Sequence, residues 1–353
     1  MIDFGPIKLL IKDESVSEIM VNGRNHIYFE SGGKLSRSDE SFKDDGEIFK
    51  LIEDILKPLG KQITPDTPYL DARLEDGSRV NIVIPPVSVS GPMVTIRKFS
   101  KNILNVDGLV KQNTLSLNMA EFLKLCVETR QNIIVSGGTG SGKTTLLNIL
   151  SSFILENERI ITIEDTAELQ LTQEHVGRLE ARAADAQGKG VVTIRHLLVN
   201  SLRMRPDRII VGECRSGEAL DMLQAMNTGH SGSMSTVHSN SPRDCLKRLE
   251  VMVMMAGFDL PVRAIREQTA SAVDIVVQAA RLSDGSRKVI NISEVTGIEG
   301  EIITLSPIFE FRQSAIDKST GKISGEFKAT QSVPSFLEQL RAKGSIINME
   351  LFK

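Results

Sequence analysis

The chain has 353 residues, 41% of them hydrophobic, which is long for a single core and enough apolar material for two. Its 42 basic and 45 acidic side chains leave a formal charge of −3, so the composition carries no general footprint of a nucleic-acid or polyanion binder. Cys126, Cys214 and Cys245 are odd in number, far apart and form no C-x-x-C pair, which argues against a zinc ribbon, a redox motif or a disulfide framework.

From the N-terminus, residues 1–15 show no basic start, no long apolar run and no small-residue cleavage site, so no signal peptide is expected. No stretch reaches the roughly 18–20 apolar residues of a membrane span. Residues 18–21 and 26–30 flank Asn22-Gly23, a hairpin signal. Over residues 48–59 the apolar side chains Ile48, Phe49, Ile52, Ile55, Leu56 and Leu59 predict one helical face. A second hairpin is expected from residues 69–74 and 79–84 around Glu75-Asp76-Gly77-Ser78, and residues 93–97 resume β character after Pro85-Pro86.

A polar segment over residues 100–113 reads as an inter-domain linker, and Asn118 with Glu121 three residues on predicts a helix start. Residues 133–136, 160–163 and 208–212 then form short apolar strands, each expected to lead through a loop into a helix, the rhythm of a buried parallel sheet. Residues 275–281 and 288–295 bracket Ser283-Asp284-Gly285-Ser286 as a further hairpin, while the polar tail from Arg312 suggests no role.

Gly137-Gly138-Thr139-Gly140-Ser141-Gly142-Lys143-Thr144 fits G-x-x-x-x-G-K-[ST] between an apolar strand and an amphipathic helix. Glycines at these positions let successive backbone N–H groups turn toward a phosphate, and the helix N-terminus adds its positive dipole end. The expected nucleotide contacts are Gly138, Thr139, Gly140, Ser141, Gly142, Lys143, Thr144 and Thr145, with Lys143 bridging β- and γ-phosphates and the Thr144 hydroxyl on Mg²⁺.

Two apolar strands end in acids. Arg208-Ile209-Ile210-Val211-Gly212-Glu213 has the Walker-B form, and Ile160-Ile161-Thr162-Ile163-Glu164-Asp165 presents a second. Hydrolysis needs carboxylates for the metal and for the attacking water. Glu213 is assigned to the Mg²⁺ side, directly or through water, and Glu164 to the water. Asn227-Thr228-Gly229-His230-Ser231-Gly232-Ser233 runs into residues 234–237 and His238, and the two histidines suggest a γ-phosphate sensor rather than a metal pair. Arg203 and Arg205, with Arg178, Arg182 and Arg215, are candidates for stabilising transition-state charge across a subunit boundary.

Taken in order, the phosphate loop, residues 162–169, residues 202–215 and residues 227–238 resemble the secretion and pilus ATPases of the type II/type IV secretion superfamily. The resemblance covers residues 13–311 and is closest to the CpaF/TadA branch, which powers tight-adherence pili. The tetracysteine zinc element of other branches is missing, in keeping with that placement. The resemblance implies an α/β fold, with a smaller N-terminal α+β domain (residues 1–105) covering the nucleotide cleft of a RecA-like P-loop ATPase domain (residues 106–353). It also implies a cytoplasmic homo-hexamer that uses ATP and Mg²⁺ and docks on an inner-membrane platform protein, without nucleic acid. By match of motif, Glu164 and Glu168 fall in its acid box, Glu213 in Walker B, and His230 and His238 in its histidine box. Arg97 falls where its first domain reaches toward the nucleotide.

Rival functions differ in sequence. A GTPase lacks support because no N-K-x-D motif is present, and an ABC ATPase would need a separate L-S-G-G-Q signature. A RecA-type nucleic-acid motor would share the core, and a nucleotide-gated scaffold would share the loop without turnover.

Overall fold

The computed structural model describes residues 2–99, 105–184, 189–342 and 347–353. The chain divides into two compact units, Met1–Ile103 and Leu104–Lys353.

The first unit contains helices α1 (Lys8–Lys12) and α2 (Asp45–Leu56) and strands β1 (Val16–Asn22), β2 (Ile27–Ser31), β3 (Lys34–Arg37), β4 (Tyr69–Arg73), β5 (Arg79–Val83) and β6 (Met93–Arg97). The strands form one sheet in the order β3-β2-β1-β6-β5-β4, antiparallel throughout. Both expected hairpins are present. In the first, the connection spans residues 23–26 and is closed by the Asn22 N–H donating to the His26 carbonyl at 2.8 Å. α2 starts where Asp44 accepts from the Glu47 N–H at 3.0 Å, and it buries Ile48, Leu51, Ile52, Ile55 and Leu56. Two members of the expected face point elsewhere: Phe49 and Leu59 are 41% and 40% exposed. Phe49 sits about 100° around the helix from Ile48, and Pro58 ends the helix before Leu59 can continue the stripe.

The second unit begins with α3 (Val106–Lys111) and α4 (Leu117–Glu128). Part of the expected linker is therefore helical, its residues 100–104 lying outside the described residues. α4 is capped by Ser116, whose hydroxyl accepts from the Met119 N–H at 3.2 Å, so the helix starts one residue before Asn118. There follow β7 (Ile133–Gly137), α5 (Lys143–Ser151), β8 (Ile160–Glu164), β9 (Val176–Glu180), α6 (Ile194–Ser201), β10 (Arg208–Cys214), α7 (Glu218–Asn227), β11 (Met234–Val237), α8 (Pro242–Met254) and α9 (Val262–Ala272). The chain closes with β12 (Ile275–Arg281), β13 (Arg287–Glu299), β14 (Ile302–Ile316), β15 (Ile323–Ala329) and α10 (Phe336–Ala342).

The sheet order is β15-β14-β13-β12-β7-β11-β10-β8-β9, parallel from β12 to β9 and antiparallel from β12 to β15. β8 leads into a second strand, β9, before any helix, contrary to the strand–loop–helix expectation there. β9 is an edge strand with partly exposed residues, so it lacks the apolar run that marks its neighbours.

Alternation along the buried strands separates two cores. Ile133 and Val135 join α4 and α5 on one face, whereas Ile134, Ile161, Ile163, Ile209 and Val211 pack with α6, α7, α8 and α9 on the other. The tail from Arg312 completes the sheet and then seals the α4 side. Phe122 of α4 meets Phe309 at 5.6 Å and Phe352 at 5.7 Å between ring centroids, and Leu337 and Leu351 are buried beside them.

Candidate active site

Parallel strands place their C-terminal ends along one edge, where ligands collect in open α/β sheets. β7 ends there at Gly137, the chain turns through residues 138–142, and α5 starts at Lys143. Gly140 and Gly142 have φ of +70° and +91°, left-handed conformations that Cβ-bearing residues resist. Gly142 is the N-cap of α5, and no side chain makes a capping hydrogen bond there. Ser141 is buried, Gly138, Lys143 and Thr144 are partly buried, and Thr139, Gly140 and Thr145 are exposed.

Three donors converge on one oxygen. The Gly138 carbonyl accepts from the Ser141 N–H at 3.4 Å, the Ser141 hydroxyl at 2.8 Å and the Lys143 ammonium at 3.1 Å. A phosphate oxygen is an acceptor of the same kind, so the loop's donor set fits a phosphate.

Along the same edge, β11 and then β10 follow β7, so Glu213 on β10 lies two strand spacings away, roughly 10 Å. Its Oε2 is held by Arg215, at 2.7 Å from Nε and 2.5 Å from the second terminal nitrogen, and Arg215 also reaches Asp165 at 3.2 Å. Glu164 ends β8, one strand further, but leans back over β10. A Cβ built on Gly212 would come within 3.0 Å of Glu164 Cγ, so the glycine before Glu213 is what admits the second acid. Glu164 is buried. Its Oε1 accepts from the Glu168 and Leu169 N–H groups at 2.9 and 3.0 Å, and its Oε2 has no partner. Burial raises its pKa above the ordinary carboxylate value, against the lowering effect of those two amides. A carboxylate with one anchored and one unclaimed oxygen, and a raised pKa, is suited to take a proton.

The two histidines are not one site. Val237 pairs with Ser136, so His238 emerges beside Gly137 at the phosphate-loop edge, and the hydroxyls of Ser136 and Ser239 are hydrogen-bonded to each other. His230 precedes β11 and sits at the opposite edge, roughly 13 Å away along the strand. There its N–H donates to Ala225, its carbonyl accepts from the Ser233 hydroxyl at 2.7 Å, and its buried Nδ1 has no partner. Within one chain it is not placed to sense a phosphate; the short sequence separation conceals the intervening strand.

Arg203 and Arg205 are exposed in the turn before β10, also at that opposite edge. Arg178 donates to the Leu171 carbonyl at 3.4 Å and Arg182 to Gly190 at 2.6 Å. Arg97 is exposed on β6 of the first unit, cross-strand from Glu18 and Arg79. Among the described residues no group of three or more His, Cys, Asp or Glu is placed to hold a metal.

Sequence reasoning missed two arginines at the loop. Arg287 Nε donates to the Gly140 carbonyl at 3.0 Å, and an Arg281 terminal nitrogen lies 3.3 Å from a Cβ built on Gly140. Their hairpin was legible, but its place beside β7 depends on strand order, which no local pattern reveals. Arg208 was also passed over. It is fully buried at the foot of β10, pairing with Glu158 at 2.7 Å and donating to the carbonyls of Val127 and Gly232.

The sequence model of the family described as Type II/IV secretion system protein matches residues 1–320. The chain is 32% identical over 304 residues to a putative conjugal transfer protein of Mycobacterium tuberculosis, covering 84% of this chain and 86% of that one. It is 34% identical over 307 residues to the type IV secretion system protein PtlH of Bordetella pertussis, covering 79% and 90%. Among solved structures, the Legionella pneumophila ATPase DotB superposes with a TM-score of 0.56 at 20% identity over 81% of this chain and 79% of that one. The pilus retraction motor PilT with bound ADP gives 0.57 at 18% identity over 98% and 90%. These structures share the mixed α/β, RecA-like fold with a smaller N-terminal domain. On the strength of the family match and the two relatives, the chain belongs to the type II/IV secretion system protein family.

Proposed function

We propose that this protein hydrolyses ATP to drive a secretion or pilus-assembly machine. The observation that carries this reading is the phosphate loop with its converging donors, set on the same sheet edge as Glu164 and Glu213. In this reading residues 138–145 bind the nucleotide, Lys143 holds the β- and γ-phosphates, and Thr144 with Glu213 holds Mg²⁺, directly or through water. The metal, when bound, supplies positive charge against the phosphate oxygens. Glu164 Oε2 orients the attacking water and accepts its proton, and His238 reads the state of the γ-phosphate. Arg203 acts on a neighbouring subunit of a homo-hexamer. The motor works in the cytoplasm on an inner-membrane platform protein. Assignment to the tight-adherence branch is supported by the lack of a tetracysteine element, the sequence holding three cysteines and no C-x-x-C pair.

The test is Mg²⁺-dependent ATPase activity measured beside native mass at the same protein concentration. A hexamer should turn ATP over slowly. Glu164→Gln should lower that rate by about 100-fold or more and Glu213→Gln should lower it too, while both still bind nucleotide. Unchanged turnover in both variants, or a monomer that binds ATP without hydrolysing it, would exclude the assignment.

A further inference from the structure

Arg281 ends β12, Arg287 begins β13, and the two are cross-strand partners at the mouth of the hairpin. The hairpin tip is tied down by Asp284, which accepts from the Ser286 N–H and hydroxyl at 2.9 and 2.6 Å and from the Ile323 N–H of β15 at 2.9 Å. The arginines are thus carried on a braced element rather than a free loop.

Arg287 grips one specific peptide of the phosphate loop. Its Nε donates to the Gly140 carbonyl, and its Cδ lies 3.4 Å from a Cβ built on Gly142, so the side chain runs along the two left-handed glycines. The bond between Gly140 and Ser141 is trans. In a trans peptide the carbonyl and the following N–H point in opposite directions. With its carbonyl held toward Arg287, the peptide aims the Ser141 N–H to the other side, where it joins the Ser141 hydroxyl and Lys143 ammonium on one acceptor. Gly140, lacking Cβ, would otherwise let this peptide flip at little cost.

We infer that Arg287 is a positioning residue of the phosphate loop: it locks the 140–141 peptide so that the Ser141 N–H faces the phosphate. Arg281 lies alongside and limits the space into which Gly140 could move. The inference rests on the nucleotide-binding reading above, and it assigns to the hairpin a part that the loop's own sequence does not reveal.

The experiment combines amide hydrogen exchange over residues 138–145 in nucleotide-free protein with titration of a fluorescent ADP analogue in Mg²⁺. The variants are Arg287→Ala, Arg287→Lys and, as reference, Lys143→Ala. Arg287→Ala should speed exchange in the loop and weaken ADP binding, each by about tenfold, the loss of one charge-assisted hydrogen bond. Arg287→Lys, which keeps a cationic donor, should recover part of both. In steady state the Arg287→Ala defect should fall mainly on KM rather than on kcat. Wild-type exchange and affinity in Arg287→Ala would overturn the inference. So would weaker binding with unchanged exchange in the nucleotide-free loop, because Arg287 would then touch the nucleotide instead of shaping the loop. Equal ADP binding by wild type and Lys143→Ala is a different failure: it would remove the nucleotide-site reading, while the exchange data still decide whether Arg287 holds the peptide.

Discussion

Glu164 is the side chain whose surroundings say most about its chemistry. Burial raises its folded-state pKa above the ordinary 4.5, so over the window from about 4.5 up to that raised value the native protein keeps a proton the unfolded chain has released. Stability therefore falls as pH rises through the window, and the loss persists above it. Glu164→Gln retains an Oε1 acceptor for the Glu168 and Leu169 amides but carries no charge. It should melt higher than wild type at pH 8, with the gap closing as pH falls toward 4.5, while turnover is lost. Scanning fluorimetry across that range checks it; a variant that melts lower at pH 8 would show that the carboxylate is stabilised there. The sequence reveals Glu164 as a strand-end acid, but its lean over Gly212 depends on β8 and β10 being neighbours. Arg208 was still less legible, because its partner Glu158 is 50 residues away in sequence and its need for Gly232 is purely spatial: a Cβ there would fall 1.9 Å from the guanidinium.

At the scale of elements, short apolar strands and hairpin turns were readable because the period and turn chemistry are local. Strand β9 and the role of the tail were not, since each is defined by what it packs against. The tail supplies a quantitative test. Phe352 is 3% exposed and packs against both Phe122 and Phe309, while Phe336 packs against Phe122. Phe352→Ala should destabilise by about 3 kcal/mol or more and lower the melting temperature by roughly 6–12 °C. Phe49→Ala, at an exposed position of α2, should shift it far less. Equal shifts would mean the aromatic seal contributes nothing beyond surface contact.

At the scale of the whole molecule, the opposite placement of Arg203 and the phosphate loop is informative. The sheet between them is roughly 17–23 Å deep, so Arg203 cannot reach the loop of its own subunit. If subunits meet head to tail, one edge faces the next subunit's other edge. Arg203→Ala and Lys143→Ala should then each abolish ATP turnover, and a 1:1 mixture should regain activity from about a quarter of its interfaces, by random pairing. No recovery at any mixing ratio would remove Arg203 from the site. The three cysteines add a consequence of a different kind. Cys126 lies in the core on the α4 side of the sheet, and Cys214 and Cys245 lie on the other. Each is buried, and burial pushes every one of these thiols up, that of Cys245 to about 12. An alkylating reagent can react only when a layer opens. Its labelling pattern would therefore act as a two-channel clock, timing the breathing of each face of the sheet separately with and without ATP.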